Sequence, residues 1–501
     1  MTGSYRADVA IAGLGLAGSL VARWLTAAGR SVVVVEEGTP MSDPAGTHLR
    51  NLPWCRADSA FYHDLVRSQL RPVSQPPPDG IPVGQALASV PLSPAINQTQ
   101  RAEASLRGAR QTHIFGGMGT LWNCVAPRLQ PDLERWPVVS DGEWDRLYRL
   151  AEEALWVGPY SAGYSRRQDL LLDALAPLAA EPAPVACRLP PGRPPAWTGP
   201  AEILAGPRRA RLDVLAQHAV TRLAHRDGRV TAAEAIAVET GEAVTVTADA
   251  FVVAAGPLRT PALLWASGIP GEPGALGRYL NDHPLCYARV VIDGARRAGL
   301  AAGDRTDPDP FVIIPMNADR PFHSVLTCDA YGDQVLEGRI DERLIVSMYW
   351  YPIARPRRDN LVRFSAGRAG RDCYGPPWQP ETTFEYALGD DDLAGLRAAL
   401  ADMREVAALI GVLAPAGTPR VLSAGSSMHI MGTTRLGPAS DGESVTDSYG
   451  RVWDLENLYL AGTGLISCAT ATNPTLAACA LAIRTAEQIT ACFGRTAPTA
   501  P

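Results

Sequence analysis

The chain begins with a regular pattern of apolar runs around one glycine-rich turn. Residues 8–11 have the length and composition of a short buried strand, apolar positions recur at helical spacing across 20–25, and residues 32–35 form a second apolar run. The turn at 12–18 separates the first run from the helical pattern. This order predicts a strand, a glycine-rich turn, a helix and a second strand.

The rest of the chain alternates between strand-like and helix-like stretches. Strand-like apolar runs dominate 214–253 and 307–364, and the second of these stretches predicts a separate sheet in the middle of the chain. A helical pattern covers 144–175, and the C-terminal part returns to a buried strand at 458–462 followed by a long helix at 474–489. The predicted fold class is α/β, with a second domain inserted between segments of the first.

Two proline-rich segments interrupt these patterns. Residues 71–94 are rich in Pro, Gln and Ser, and we interpret them as a long excursion that serves as a lid or an oligomer arm. Residues 189–200 separate the helical region from the β-rich one and are interpreted as a connector. The first segment is therefore not expected to belong to the hydrophobic core.

Composition narrows the classes of function. The 501 residues carry 46 Lys+Arg and 52 Asp+Glu, a net charge of -6, and every one of the 46 basic residues is arginine. A chain without lysine cannot form a pyridoxal Schiff base, a phosphate-binding loop ending in Gly-Lys-Ser/Thr or the ATP-binding lysine of kinases. An acidic chain also lacks the basic charge that nucleic-acid binding requires, so we expect no nucleic-acid partner.

The cysteines, the N-terminus and the hydropathy favour a soluble, cytoplasmic protein. The nine cysteines are scattered without a C-x-x-C pair or clustering with the eight histidines, which is typical of reduced thiols and predicts no metal site. No signal-peptide pattern precedes the first strand. No apolar run approaches the roughly 18 residues of a membrane span, so no membrane partner is expected.

The glycine-rich turn carries the first candidate chemistry. Gly13, Gly15 and Gly18 allow a tight turn and a close approach of the backbone to a pyrophosphate, beside a helix N-terminus whose dipole favours anions. Glu36 ends the second strand, where a carboxylate accepts hydrogen bonds from a ribose. The complete unit predicts dinucleotide binding, either FAD or NAD, and Glu36 disfavours the 2′-phosphate of NADP.

Two further small-residue turns are candidates for contact with the same cofactor. The turn at 116–123 sets three glycines beside Met, Leu and Trp. Although a surface loop would fit this composition, we favour a backbone that lies against a flat isoalloxazine ring. Residues 252–257 form an apolar strand that ends in a small-residue turn, a pattern that is also typical of any core strand.

His429 and Asn473 are the candidates for catalysis. A neutral imidazole accepts the proton of a hydroxyl group near neutral pH, and an amide holds the same oxygen in place. Each residue also has a structural interpretation, His429 as a satisfied core histidine and Asn473 as the N-cap of a helix that begins at Pro474. The N-terminal end of that helix would face a cofactor that becomes negative on reduction.

These elements, in this order, resemble the glucose-methanol-choline (GMC) family of flavoenzymes over nearly the whole chain, and most of all its pyranose 2-oxidase branch. The segment 329–346 also resembles the sugar oxidases, where the loop corresponding to 329–332 closes over the pyranose. The stretches that carry the resemblance are the N-terminal glycine-rich unit, 116–123, 252–267, 281–284, 429–435 and 457–473.

The resemblance implies an α/β (α+β two-domain) fold. A Rossmann-like FAD-binding domain is built from discontinuous segments, and a substrate-binding domain has an antiparallel sheet covered by helices. The FAD-binding segments are 1–60, 105–135, 205–283 and 425–501. The substrate-binding segments are 61–104, 136–204 and 284–424.

The resemblance also implies the site residues. His429 is the catalytic base and Asn473 its partner, with hydride passing to flavin N5 and the proton to His429. His283 is interpreted as structural, and His323 as a lesser candidate for contact with the sugar. The implied substrate-binding residues are Asp329, Ala330, Tyr331, His429 and Asn473. The implied cofactor-binding residues are Gly13, Gly15, Leu16, Ala17, Gly18, Glu36, Gly117, Met118, Gly119, Thr120, Leu121, Asn123, Ala255, Gly256, Gly462, Asn473, Pro474 and Thr475.

Two positions depart from the pyranose 2-oxidase pattern. Leu121 stands where those enzymes attach the flavin to a histidine, which predicts non-covalent FAD. Asn123 replaces a threonine near flavin N5, although other members of the family place an asparagine at this turn. The change puts reactivity with oxygen in doubt, so the electron acceptor is oxygen or a quinone or dye.

The predicted activity is FAD-dependent oxidation of a secondary hydroxyl, at C2 or C3, of a pyranose or glycoside. The alternative is a tailoring enzyme of the same chemistry that acts on an aminoglycoside or another glycosylated metabolite, with Asp329 and Asp333 available for an amine. A flavin-dependent reductase or monooxygenase shares the N-terminal unit but would not explain His429 and Asn473. A non-catalytic FAD-binding scaffold is a further alternative function. The sequence also leaves open whether the chain forms a homo-oligomer.

Overall fold

The computed structural model of the chain describes ten stretches of sequence. They are 3–74, 100–161, 165–190, 193–205, 211–269, 274–293, 308–328, 344–366, 379–415 and 417–495. The helices in these stretches are α1 (Leu16–Ala27), α2 (Pro53–Ala57), α3 (Ser59–Gln69), α4 (Pro131–Glu134), α5 (Asp141–Leu155), α6 (Arg166–Ala174), α7 (Pro200–Leu204), α8 (Gly256–Ala266), α9 (Asp390–Ile410) and α10 (Thr475–Arg495).

The strands are also numbered in chain order. They are β1 (Gly3–Ala12), β2 (Val32–Glu36), β3 (Arg71–Pro72), β4 (Arg110–Gln111), β5 (Val157–Pro159), β6 (Glu181–Pro182), β7 (Pro184–Arg188), β8 (Ala196–Trp197), β9 (Leu212–Ala216), β10 (His218–Arg226), β11 (Arg229–Ala237), β12 (Ala243–Val253), β13 (Cys286–Ile292), β14 (Val312–Ile314), β15 (Phe322–Thr327), β16 (Ile345–Pro352), β17 (Leu361–Ser365), β18 (Glu381–Glu385), β19 (Gly411–Leu413), β20 (Arg420–Val421) and β21 (Leu458–Leu460).

The N-terminal strand β1 lies inside the first seven-stranded sheet. The strand order is β10-β11-β12-β1-β2-β9, and β21 pairs with β12. The pairs β12–β1, β1–β2 and β2–β9 are parallel, with Ala12 opposite Val253 and Val9 opposite Val32. All five residues of β2 are buried, as expected for a parallel strand that is covered on both faces. The predicted strand, turn, helix and strand unit is confirmed.

The second seven-stranded sheet comes from the middle of the chain and is antiparallel. Its order is β19-β13-β16-β15-β14-β6, with β20 also paired to β13. Helix α9 covers one face, because Leu396, Met403 and Ile410 recur every seven residues and pack on side chains of β13 and β16. An antiparallel sheet covered by a helix was predicted and is present. The division of the chain into two domains at the predicted boundaries stays a prediction.

The C-terminal helix α10 corrects one expectation from hydropathy. Residues Thr475–Gly494 are long and apolar enough to cross a membrane, with a mean hydropathy of 1.2, whereas the sequence analysis found no such run. In the structure 67% of this window is buried, and α10 packs against α1 and α5. We therefore describe α10 as a core helix, whose Arg484 forms an ion pair with Glu143.

The two proline-rich segments lie partly outside the described residues. Of the predicted lid or arm at 71–94, only 71–74 is described, and Arg71–Pro72 pairs there with Arg110–Gln111. The connector at 189–200 contains β8, which pairs with the preceding strand β7. No disulfide joins two cysteines of the described stretches.

Candidate active site

A cavity of approximately 330 Å³ lies where β1, β2 and β12 end at the same edge of the first sheet. In open α/β sheets this edge, at the carboxyl ends of parallel strands, is the usual place for a ligand. The cavity reaches from the glycine-rich turn to His429. The predicted cofactor residues that line it are Gly13, Gly15, Leu16, Ala17, Glu36, Gly117, Met118, Gly119, Ala255, Gly256, Gly462, Pro474 and Thr475.

The glycine-rich turn brings its backbone close to the cavity. Gly13 has φ +97°, and a Cβ atom there would lie 2.7 Å from the carbonyl oxygen of Ala254. A Cβ atom at Gly18 would lie 2.1 Å from the carbonyl oxygen of Gly13, so Gly18 allows close packing of α1 on β1 and does not line the cavity. Helix α1 has no side-chain cap and no acidic residue in its first turn, which leaves its N–H groups available to an anion.

The carboxylate of Glu36 is buried at the end of β2. Its two oxygens accept hydrogen bonds from the backbone N–H groups of Leu14, at 2.6 Å, and Gly38, at 2.9 Å. Burial raises the pKa of Glu36, and these two hydrogen bonds oppose the rise. The side chain therefore holds the glycine-rich turn in place at the wall of the cavity, where the sequence predicted a contact with a ribose.

Three polar residues that the sequence analysis did not select line the same end of the cavity. The Arg259 guanidinium lies 2.9 Å from a carboxylate oxygen of Glu37 and 2.8 Å from Nδ1 of His113. The positive charge of Arg259 lowers the pKa of Glu37 against the effect of burial. Sequence position alone could not select them, because the ion pair joins residues 222 positions apart.

The second glycine-rich turn divides its residues between the cavity and the protein interior. Gly117–Thr120 forms a short 3-10 helix, in which the Thr120 hydroxyl donates to the Gly117 carbonyl oxygen. Thr120 and Leu121 are buried and do not line the cavity. Asn123 is exposed and its side-chain oxygen accepts from the Val125 N–H, so the structure does not bring it to the cavity as predicted. This local hydrogen bond directs the Asn123 side chain away from the cavity.

His429 is placed at the cavity by an antiparallel bridge with the segment that carries His283. Asn281 and Met431 exchange backbone hydrogen bonds of 3.0 and 2.8 Å. Because this pairing is antiparallel, the residue two positions after Asn281 lies opposite the residue two positions before Met431. His283 Nε2 is accordingly 2.6 Å from His429 Nδ1, and His283 Nδ1 is 3.3 Å from the Thr470 carbonyl oxygen. The structure therefore brings His283, which the sequence analysis interpreted as structural, into direct contact with His429.

The histidines at this site are neutral. Burial, with smaller contributions from His283 and His323, holds the pKa of His429 well below its usual range. Burial lowers the pKa of His283 to about 4 and that of His323 to about 3. Tyr351 packs against all three imidazole rings, with centroid distances of 5.3 to 5.9 Å. A neutral imidazole in this position has a lone pair available for a proton.

Asp282 supports the loop that carries His429. One of its carboxylate oxygens accepts the backbone N–H of His429 at 2.9 Å and the hydroxyl of Ser427. Burial raises the pKa of Asp282 to about 6, although these hydrogen bonds oppose the rise. Asp282 and His283 thus hold the backbone and the ring of His429 from adjacent positions in the sequence.

Asn473 and His323 each present an unpartnered polar atom beside His429. The Asn473 side-chain amide donates to the Val125 carbonyl oxygen at 3.4 Å, while its Oδ1 is buried without a partner among the described residues. Asn473 therefore does not cap helix α10. Nε2 of His323 is likewise buried without a hydrogen-bond partner among the described residues, and the side chain of Asn473 is its near neighbour. Buried polar atoms are rarely left unpaired, so these two mark a place for a polar ligand.

Glu134 holds the segment that precedes Asn473. This carboxylate is 1% exposed and accepts the N–H groups of Ala471 and Thr472, each at 2.7 Å, together with the Thr472 hydroxyl at 2.6 Å and the Gln130 N–H at 2.7 Å. No sequence pattern selected Glu134, because its partners lie more than 300 positions away. The contact makes Glu134 a positioning residue for Asn473.

Replacing Glu134 with glutamine should destabilise the protein by about 3 kcal/mol, because an amide NH₂ would then face buried N–H donors. The same change should lower turnover, since it loosens the segment before Asn473. Chemical unfolding and turnover measurements check both effects. Glu487→Gln, which removes a half-exposed ion pair with Arg146, is the matched control and should cost about 1 kcal/mol or less. Equal stability of the two variants would contradict the assignment.

The predicted substrate loop lies outside the described residues. Asp329, Ala330, Tyr331 and Asp333 all belong to it. Within the described part of the chain, no group of three or more His, Cys, Asp or Glu side chains could hold a metal ion. At its His429 end the described site thus consists of neutral imidazoles and one amide, and at its other end the glycine-rich turn, Glu36 and the Glu37–Arg259 ion pair line the cavity.

Comparison with known proteins identifies the family. Two family models, both described as GMC oxidoreductase, match residues 199–285 and 356–482. A C-glycoside 3-oxidase of Microbacterium trichothecenolyticum is 32% identical, covering 96% of this chain and 96% of the relative. The chain belongs to the GMC oxidoreductase family. A pyranose 2-oxidase of Lyophyllum shimeji is 28% identical, covering 97% of this chain and 92% of that protein.

Solved structures show the same fold. Pyridoxine 4-oxidase from Mesorbium loti has a TM-score of 0.68 and 19% identity, covering 96% of this chain and 98% of that one. A formate oxidase has a TM-score of 0.68 and 14% identity, covering 99% and 100%. These similarities confirm the α/β fold predicted from the sequence. The protein is an FAD-dependent GMC oxidoreductase acting on CH–OH donors.

The residues of the cavity fit FAD. The glycine-rich turn, with the uncapped N-terminus of α1, offers backbone N–H groups to a pyrophosphate, and Gly13 keeps the backbone free of a Cβ atom there. Pro474 and Thr475 bring the N-terminus of α10 to the same cavity, with no acidic residue in its first turn. Gly117, Met118 and Gly119 bring the short 3-10 turn to the same cavity and would offer its backbone to the ring system. In this GMC oxidoreductase the predicted turns thus meet around one cavity.

Proposed function

We propose that this GMC oxidoreductase oxidises a secondary hydroxyl, at C2 or C3, of a pyranose sugar or glycoside to the ketone. When bound, FAD supplies the acceptor for the hydride that leaves the substrate carbon. His429 accepts the hydroxyl proton at Nε2, and Asn473 and His323 hold the polar groups around the reacting carbon. The electrons pass on to oxygen or to a quinone.

One observation carries this proposal. His429 lines the cavity as a neutral imidazole, and its Nε2 has no hydrogen-bond partner among the described residues, while Nδ1 is engaged by His283. General-base catalysis requires an unprotonated nitrogen within reach of the hydroxyl proton. An imidazole that is held by one nitrogen and open at the other meets that requirement.

The polar atoms beside His429 support a hydroxyl-rich substrate. Asn473 Oδ1 is a buried acceptor without a described donor, and Nε2 of the neighbouring His323 is also buried without a described partner. A sugar hydroxyl both donates and accepts, so one ring position can satisfy an oxygen and a nitrogen together. Relatives named pyranose 2-oxidase and C-glycoside 3-oxidase match over most of the chain, which favours a sugar over a simple alcohol.

Product analysis tests the proposal. The FAD-loaded enzyme is incubated with glucose, a C-glucoside and an aminoglycoside, each with oxygen or benzoquinone, and the products are examined by carbon-13 NMR. We expect a ketone at C2 or C3 of glucose or of the glucoside. Turnover of the aminoglycoside alone would replace the proposal with a tailoring function, and the faster acceptor identifies the route for the electrons.

FAD should be released by acid precipitation. Leu121 packs in a buried apolar cluster with Leu49, Leu52 and Met118, and a hydrocarbon side chain cannot form a covalent bond to the flavin. We therefore propose non-covalent FAD. Trichloroacetic acid should leave a colourless pellet and a yellow supernatant. A pellet that stays yellow after washing would show a covalent link and contradict this prediction.

A further inference from the structure

We propose that His283 is a positioning residue that fixes the tautomer of His429, so that the lone pair of His429 lies on Nε2 and faces the cavity. The inference rests on the proposed function of His429 as the base and adds how its reactive nitrogen is prepared. It follows from the hydrogen bonds that join three groups in turn, the Thr470 carbonyl oxygen, the His283 ring and the His429 ring.

The outer group is the backbone carbonyl oxygen of Thr470, 3.3 Å from His283 Nδ1. A carbonyl oxygen only accepts hydrogen bonds, so Nδ1 of His283 carries a proton. Because His283 is buried and neutral, its other nitrogen, Nε2, has no proton. The contact with Thr470 thus makes His283 Nε2 an acceptor.

The hydrogen bond between His283 and His429 then determines which nitrogen of His429 carries the proton. His283 Nε2 lies 2.6 Å from His429 Nδ1, and the two rings are nearly perpendicular, at 82°. Since Nε2 of His283 accepts, Nδ1 of His429 donates and holds the single proton of a neutral ring. The lone pair of His429 is then on Nε2. A hydroxyl proton taken up there leaves the Nδ1 proton in its hydrogen bond to His283.

Backbone hydrogen bonds hold Thr470, His283 and His429 in place. Thr470 lies three residues before Asn473, and its carbonyl oxygen also accepts the Ala354 N–H at 3.2 Å. The Asn281–Met431 bridge fixes the segments of the two histidines, and Asp282 holds the His429 N–H. The acceptor that sets the tautomer and the amide that contacts the substrate therefore belong to one short segment.

Nitrogen-15 NMR of the FAD-loaded enzyme, labelled at its eight histidines, tests the proposal directly. His429→Gln and His283→Gln each remove one set of signals and thereby assign them. We expect His429 to show a protonated, pyrrole-type Nδ1 and an unprotonated, pyridine-type Nε2. A proton on Nε2 of His429 in the wild-type enzyme would overturn the proposal without any variant having to fold. His225→Gln, at an exposed histidine, is the control for indirect changes in the spectrum.

Variants at position 283 add a kinetic test. His283→Leu leaves His429 Nδ1 without an acceptor, and we expect turnover to fall on the order of 10²-fold with FAD retained, as for other bases held in the wrong tautomer. His283→Gln restores an acceptor oxygen and should recover most of that loss. Equal losses in both variants, or an unchanged His429 spectrum in His283→Leu, would overturn the proposal. If His429→Ala kept full turnover while the wild-type spectrum was as expected, the proposed function would fail instead.

Discussion

Replacing His429 with alanine is expected to lower turnover by about 10²-fold or more while FAD stays bound. The imidazole lines the cavity, is neutral and has an open Nε2, so its loss removes the acceptor for the hydroxyl proton. The side chain makes no described hydrogen bond other than that with His283, so the fold should persist. Steady-state turnover and the flavin-to-protein ratio check the two parts of this expectation.

The control for His429→Ala is His225→Ala, an exposed histidine on β10 whose ring contacts the Ser267 carbonyl oxygen. It should turn over like the wild type. If His429→Ala retained wild-type turnover with its FAD, another group would be the base, and His323 would be the next to replace because it contacts Asn473. If His429→Ala lost its FAD, the residue would serve cofactor binding instead.

The folded enzyme should lose stability steeply below about pH 6.5. Burial lowers the pKa of five histidines. The pKa values of His48 and His323 fall to about 3, those of His63 and His283 to about 4, and that of His429 to well below its usual range. As the pH falls below 6.5, the unfolded chain takes up these protons and the native state does not. The stability that these histidines contribute is thus fully present above pH 6.5 and is lost progressively as the pH falls towards about 3.

The loss of unfolding free energy per pH unit follows from the number of protons that only the unfolded chain binds. Each proton bound only by the unfolded chain costs about 1.4 kcal/mol per pH unit. Asp282, with a raised pKa of about 6, and Glu36, whose pKa burial also raises, oppose the trend because the native state binds their protons first. With five histidines against these two carboxyls, we expect a net loss of about 4 kcal/mol per unit near pH 5.

Thermal unfolding of the FAD-loaded enzyme between pH 8 and 5 measures this dependence. The melting temperature should change little above pH 7 and fall sharply below 6.5. His225→Gln should leave the curve unchanged, because that ring is exposed. A melting temperature that stayed constant from pH 7 to 5 would show that the buried histidines are not held neutral.

Local pattern was sufficient to predict the first structural unit. The alternation of apolar runs around Gly13, Gly15 and Gly18 is encoded within 30 residues, and β1, α1 and β2 appear where the pattern placed them. Helix α10 was also located, and it carries the two charged residues Arg484 and Glu487 within its apolar pattern. In the structure both charges are paired, by Glu143 and Arg146, at the edge of a buried helix.

The sequence selected His429 and Asn473 as candidates but not the residues that hold them. The contact between His283 and His429 had no signal in the sequence, because it depends on an antiparallel register between segments 146 residues apart. Glu134 had no signal, since a lone carboxylate in a short helix resembles any surface acid until its partners are known. Asn123 fits the family turn in sequence, yet its hydrogen bond with the Val125 N–H turns it to the surface.

Anaerobic reduction of the bound flavin tests the central claim most directly. The wild-type enzyme and His429→Ala are mixed with glucose and, separately, with a C-glucoside, and the visible flavin absorbance is followed. We predict that at least one of the two sugars bleaches the wild-type flavin and that the same sugar bleaches the variant at least about 10² times more slowly. A wild-type flavin that stays yellow with both sugars, or a variant that bleaches as fast as the wild type, would contradict the account.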